Sequence, residues 1–155
     1  MKIVSCALDG RTGHEAGRAL LAALYREETG LDLPPIAIAA GGKPYFPDSG
    51  WHFSVSHTPR RAFCALSRRE IGIDAEELDR NVNLALAEKI LSLGERVQFD
   101  AAPDKRRALL TFWVLKEARV KRTGEGLRGY PNGTGFSLDD PRVTEMDGCL
   151  VAVIE

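Results

Sequence analysis

The sequence predicts an α+β fold, and three observations predict it. Residues 16–24 and 109–118 carry apolar side chains at helical spacing. Several short β-branched or alternating segments lie between them. Glycine and proline clusters punctuate the chain, with no repeat, low-complexity tract or long linker. Its 155 residues, 44% hydrophobic and 28% charged, have ordinary globular composition, enough to bury a core without disulfides.

Taken in order, residues 2–8 are short, apolar and β-branched at Ile3 and Val4, and read as a strand. Residues 10–13 make a turn. Ala16, Ala19, Leu20, Ala23 and Leu24 form one stripe of a helix that ends near Gly30. Pro34-Pro35 breaks the chain, residues 36–40 are a second short strand, and Gly41-Gly42-Lys43-Pro44 turns it. Residues 51–56 alternate, with His52 and Ser54 against Phe53 and Val55; residues 62–66 and 70–76 are further strands. Beyond Asp79-Arg80-Asn81 the pattern becomes helical. Residues 84–91 read as a helix, and Ser92 with Glu95 resembles a capping box opening another. Pro103-Asp104 starts a long helix that runs to about Thr123 and stops at Gly124. Residues 134–138 and 149–154 read as closing strands. The two halves meet near Arg69.

Bulk properties exclude several functions. A net charge of −1 gives no global field that would draw nucleic acid or an anionic membrane. Cys6, Cys64 and Cys149 are odd in number and far apart, and no Cys-x-x-Cys pair exists, which argues against a disulfide framework or a thiolate zinc site. Apolar neighbours make them buried structural thiols. No long apolar run is present, so neither a signal peptide nor a membrane span is expected, and the cytosol is the expected location.

The chemistry gathers on carboxylates. Asp74 and Glu76 lie two apart in a strand and leave the same face. Adjacent carboxylates repel unless a cation lies between them, and hard oxygen ligands suit magnesium. By itself such a pair is more often a solvated strand edge. Glu117 adds weight, because it interrupts the apolar stripe Leu109, Leu110, Trp113, Val114 and Ala118, where an unpaired charge is costly. Lys121 follows one turn later. The alternative is an ordinary exposed Glu–Lys pair, worth about 0.3–0.5 kcal/mol. Ser56 and His57 are adjacent at a strand end and face opposite ways, so they do not pair as nucleophile and base. No Gly-x-Ser-x-Gly elbow occurs, which argues against a serine hydrolase. Their hydroxyl and imidazole could instead contact phosphate oxygens, a structural role for His57 being the equal alternative. Lys43 is a further phosphate or base contact in a turn where lysines are usually just solvated, and His14 and His52 are structural.

These pieces fall in one order: Gly42-Lys43-Pro44, Ser54-Val55-Ser56-His57-Thr58, Gly72-Ile73-Asp74-Ala75-Glu76, then Trp113-Val114-Leu115-Lys116-Glu117-Ala118-Arg119-Val120-Lys121 with Gly124-Glu125-Gly126-Leu127. The ordered set resembles the 4′-phosphopantetheinyl transferases of the Sfp type. The Trp-x-x-Lys-Glu-Ala-x-x-Lys helix is its most specific part. The first residue of the serine–histidine motif is Ser54 where the family often has Asn. The resemblance implies a single transferase domain over residues 1–155. It would be a pseudo-dimer of two similar α/β halves, 1–69 and 70–155, with the active site between them. It implies transfer of the phosphopantetheine arm of coenzyme A to a serine of an apo acyl or peptidyl carrier protein, releasing adenosine 3′,5′-bisphosphate. Asp74, Glu76 and Glu117 would ligate Mg2+, or Mn2+ in its place. Glu117 would help deprotonate the serine, Lys121 would balance phosphate charge, and Lys43, Ser56 and His57 would hold coenzyme A. Since one chain contains both halves of the site, a monomer is expected. Two rivals stand beside this: a Mg2+-dependent nuclease and a catalytically silent coenzyme A or carrier-protein binder. The carrier, tolerance of acyl-coenzyme A and the residues gripping the 3′-phosphate are not readable from the sequence.

Overall fold

A computed structural model describes residues 1–125 and 135–155. The first half opens with β1 (Lys2–Ala7) and α1 (Gly13–Thr29), continues through the two-residue strands β2 (Ala37–Ile38) and β3 (Pro44–Tyr45), and closes with β4 (His52–His57) and β5 (Arg61–Ser67). Thr12 and Glu15 cap α1 reciprocally, each side chain meeting the other's backbone N–H. The sheet order is β1-β5-β4, both pairings antiparallel.

The second half also builds a three-stranded antiparallel sheet. It opens with β6 (Gly72–Glu77), and a 3₁₀ turn (Leu84–Leu86) leads into α2 (Ala87–Ile90), α3 (Leu93–Ala101) and α4 (Lys105–Thr123). A hairpin of β7 (Val143–Met146) and β8 (Cys149–Ile154) closes it. The order β6-β8-β7 matches the first sheet: the opening strand pairs with the last strand of a terminal hairpin, and helix intervenes in sequence.

The apolar clusters show how the layers stack. On one face of the first sheet, Phe53, Cys64 and Leu66 bury Leu21, Leu24 and Tyr25 of α1. On its other face, Phe63 and Ala65 meet Ile73, Ala75, Val151 and Val153 of the second sheet. The far face of that sheet, with Ala152 and Ile154, takes Phe112, Leu115 and Ala118 of α4. Apolar burial on this scale drives the assembly.

Three expectations change. Residues 84–91 are not one helix: Leu91 turns extended (φ −87°, ψ 136°), which lets Ser92 cap α3. Thr134, like Gly126 and Leu127 of the motif, lies outside the described residues. Residues 135–138 form no strand, and side chains rather than a neighbouring ladder take the N–H groups of Phe136 and Leu138: Glu95 accepts from Phe136 at 3.0 Å and Gln98 from Leu138 at 3.1 Å. The strand is instead β7, turned into β8 by Asp147-Gly148, whose positive φ values of 53° and 78° suit a tight hairpin. Helix α4 also buries more than one stripe. Phe112 and Leu115 are fully buried and Trp113 is half-buried, because the helix lies between the sheet and α3.

Candidate active site at the junction of the two sheets

Strand β4 meets β6 through serine hydroxyls. Ser54 Oγ accepts from the Ile73 backbone N–H at 3.1 Å, and Ser56 Oγ accepts from that of Ala75 at 3.3 Å. Ser56 then donates to Asp74 Oδ1 at 2.9 Å. Lys121 of α4 donates to both, at 2.7 Å to Asp74 Oδ1 and 2.9 Å to Ser56 Oγ. A hydroxyl has one donor and two acceptor sites, so Ser56 is fully used. One ammonium thus ties a residue of the first half to a carboxylate of the second. Asp74 is buried, and its Oδ2 has no hydrogen-bond partner among the described residues.

The local sequence dictates this meeting. Asp74 and Glu76 face α4 because Ile73 and Ala75 occupy the opposite face. Gly72 shares the face of Asp74, and a Cβ there would lie 1.9 Å from the Ala118 carbonyl oxygen. Only glycine lets the helix approach so closely. Contact at Ala118 brings its neighbours to the strand: Lys121 reaches Asp74, and half-buried Glu117 lies one turn before it.

Glu76 is half-buried. Burial pushes its carboxyl above the ordinary value, while Arg80, which donates to Oε1, opposes that shift. The two carboxylates on this face of β6 therefore each have a basic partner, Lys121 on Asp74 and Arg80 on Glu76.

Two clefts flank the junction. One, of about 560 Å³, is lined by Gly13, His57, Thr58, Glu76 and Arg80 among others. His57 points away from Ser56, as strand alternation requires, and is exposed over the start of α1. A Cβ on Gly13 would lie 2.3 Å from its ring. The other cleft, of about 250 Å³, is lined by Gly42, Lys43, Ser54, Val55, Val120 and Lys121. Lys43 donates to the Arg122 carbonyl there, and burial lowers its ammonium pKa.

The structure thus brings Ser56, Asp74 and Lys121 into direct contact and places His57, Glu76 and Lys43 along the flanking clefts. Among the described residues, no three His, Cys, Asp or Glu side chains gather closely enough to hold a metal ion by themselves.

Three features escaped the sequence reading. Ser54 bolts the sheets together, and only its alternation with Val55 hinted at a buried face. Arg80 serves Glu76 from four residues downstream. Lys116, next to Glu117, is wholly buried, with its Nζ 2.8 Å from Oε2 of the equally buried Glu95, off the line of a directed hydrogen bond. The capping box at Ser92–Glu95 was legible, but not that its acid also served as the ion-pair partner of α4.

Comparison with known proteins identifies the family. The family model described as the 4′-phosphopantetheinyl transferase superfamily matches residues 70–149, just over half the chain. The chain belongs to that superfamily. It is 32% identical over 122 residues to the 4′-phosphopantetheinyl transferase HetI of Nostoc sp. (strain PCC 7120), covering 72% of this chain and 52% of that protein. It is 32% identical over 118 residues to a 4′-phosphopantetheinyl transferase of Bacillus subtilis, with 72% and 51% covered. With the 4′-phosphopantetheinyl transferase psf-1 of Bacillus pumilus it shares 30% over 134 residues, covering 83% and 57%. The chain spans about half the length of the curated relatives it matches.

Proposed function

We propose that the chain transfers the 4′-phosphopantetheine arm of coenzyme A to a serine hydroxyl of an apo carrier protein, releasing adenosine 3′,5′-bisphosphate. The observation that carries this reading is Lys121 bridging Ser56 and Asp74 at the meeting of two sheets of like connectivity, one helical turn from Glu117. That likeness supports a pseudo-dimer of halves 1–69 and 70–155 forming one domain. A site made by both halves of one chain is consistent with a monomer. Among the described residues no helix is long and apolar enough to cross a membrane; a cytosolic setting, where coenzyme A and carrier proteins meet, is part of the proposal.

The donor set fits magnesium. That ion takes one or two carboxylates and completes its shell with water and phosphate oxygens. Asp74, with its unpartnered buried Oδ2, and Glu76 on the same strand face are the two first choices, with Glu117 as third. Mn2+ would suit the same oxygens. When bound, the ion would neutralise pyrophosphate charge and orient the phosphoryl group.

The chain's own residues would do the rest. Glu117 would accept the proton of the carrier serine, whose oxygen attacks the pantetheine-bearing phosphorus. The bond from that phosphorus to the bridging oxygen breaks, and the nucleotide leaves. Lys121 would transfer its charge from Asp74 to the phosphoryl oxygens. Ser56 holds Asp74 and Lys121 in register, and releasing one of its bonds would let it meet a phosphate. His57 would contact the substrate from the larger cleft and Lys43 from the smaller.

The test is incubation with coenzyme A, Mg2+ and several unrelated apo carriers, followed by mass analysis of each carrier. A phosphopantetheinyl adduct supports the reading. Coenzyme A binding without an adduct would favour a silent binder, and Mg2+-dependent cleavage of DNA would favour a nuclease.

A further inference from the structure

Arg80 forms part of the larger cleft without a role in the reaction just described. It lies four residues beyond Glu76, donates to that carboxylate and stands with its Cζ 5.8 Å over the ring of Trp113, one helical turn before Glu117. Its side chain is 44% exposed, against 15% for the Glu76 carboxylate it meets. Lys121 differs in bridging two groups from two halves of the fold.

We infer that Arg80 is an exchangeable counter-ion, neutralising Glu76 in the free protein and turning to a phosphate oxygen of the substrate once a divalent cation takes Glu76. The inference rests on the transferase reading for the identity of that substrate, coenzyme A. The chemistry is competitive. A guanidinium and a divalent ion on the same carboxylate repel each other, so each weakens the other's hold. The arriving pyrophosphate supplies oxygens in the same cleft, and the planar guanidinium suits them. The ring of Trp113 holds the group at the cleft wall while its N–H donors change acceptor. Arg80 would therefore oppose binding of the bare ion and favour the ion with its phosphate substrate.

The prediction has two opposite signs. Arg80→Met should bind Mn2+ alone about fivefold more tightly than the unaltered protein, measured by electron paramagnetic resonance without substrate. It should bind coenzyme A about fivefold more weakly in the presence of the ion, measured by calorimetry. Arg80→Lys should fall nearer the unaltered protein in both. Arg60→Met, which removes an arginine bound to Glu77 and Asp79 instead, should change neither. Unchanged Mn2+ binding in Arg80→Met, weaker Mn2+ binding, tighter Mn2+ binding with undiminished coenzyme A affinity, or the same changes from Arg60→Met would each overturn the exchange. No Mn2+ bound by either protein would sink the metal reading itself, an outcome distinct from equal binding by both.

Discussion

Gly72 and Glu117 act on the site in opposite ways, one through a missing atom and one through a charge. Gly72→Ala would put a methyl group 1.9 Å from the Ala118 carbonyl, so helix and strand must separate. A loss of about 1–3 kcal/mol in chemical denaturation is expected, as for overpacking of a tight core. Glu117→Gln keeps the shape and removes the base. Transfer should fall to background while the denaturation midpoint stays within error. Retained activity would remove Glu117 from the proton-transfer role. Asp140 shows the effect of pH. The hydrogen bond from Arg142 holds its carboxyl below the ordinary value of 3.8. An acid with a lowered folded pKa contributes stability that is complete above its unfolded value and is lost as pH falls through the folded one. Asp140→Asn should therefore flatten the acid limb of a stability–pH profile below about pH 4 and also lower stability at pH 7.

At the scale of elements, the pair Lys116–Glu95 decides how α4 lies against α3. Glu95, itself wholly buried, caps α3 through the Ser92 backbone, holds the Phe136 backbone and meets Lys116. Breaking a buried pair by removing one partner costs about 3–5 kcal/mol, because the other charge is left uncompensated. Lys116→Met should show that loss in urea unfolding; an unchanged midpoint would mean the pair contributes nothing net. Much of this level was legible in the sequence. Capping residues are local signals, so Ser92, Glu95, Asp104 and Gly124 marked their helix ends correctly. The hairpin of β7 was missed although Asp147-Gly148 announced it, because a four-residue strand gives little periodicity. Residues 134–138 carry a strand pattern, yet the backbone N–H groups of Phe136 and Leu138 bond to Glu95 and Gln98, roughly forty residues earlier, which no local pattern records.

At the scale of the whole molecule, the site exists only where two sheets meet. The motif order named Ser56, Asp74 and Lys121 from the sequence, but not that one lysine would join the other two. That contact depends on the closeness of α4 to β6, which Gly72 permits and the packing of Phe112, Leu115 and Ala118 enforces. Arg80 was silent for the same reason, since its partnership with Glu76 depends on the turn after β6. The most direct test of the account weighs an apo carrier protein after incubation with coenzyme A, Mg2+ and the purified chain. The account predicts a phosphopantetheinyl mass on the carrier's serine with the unaltered chain and none with Glu117→Gln. A folded protein that leaves every apo carrier in a varied panel at its starting mass would contradict it.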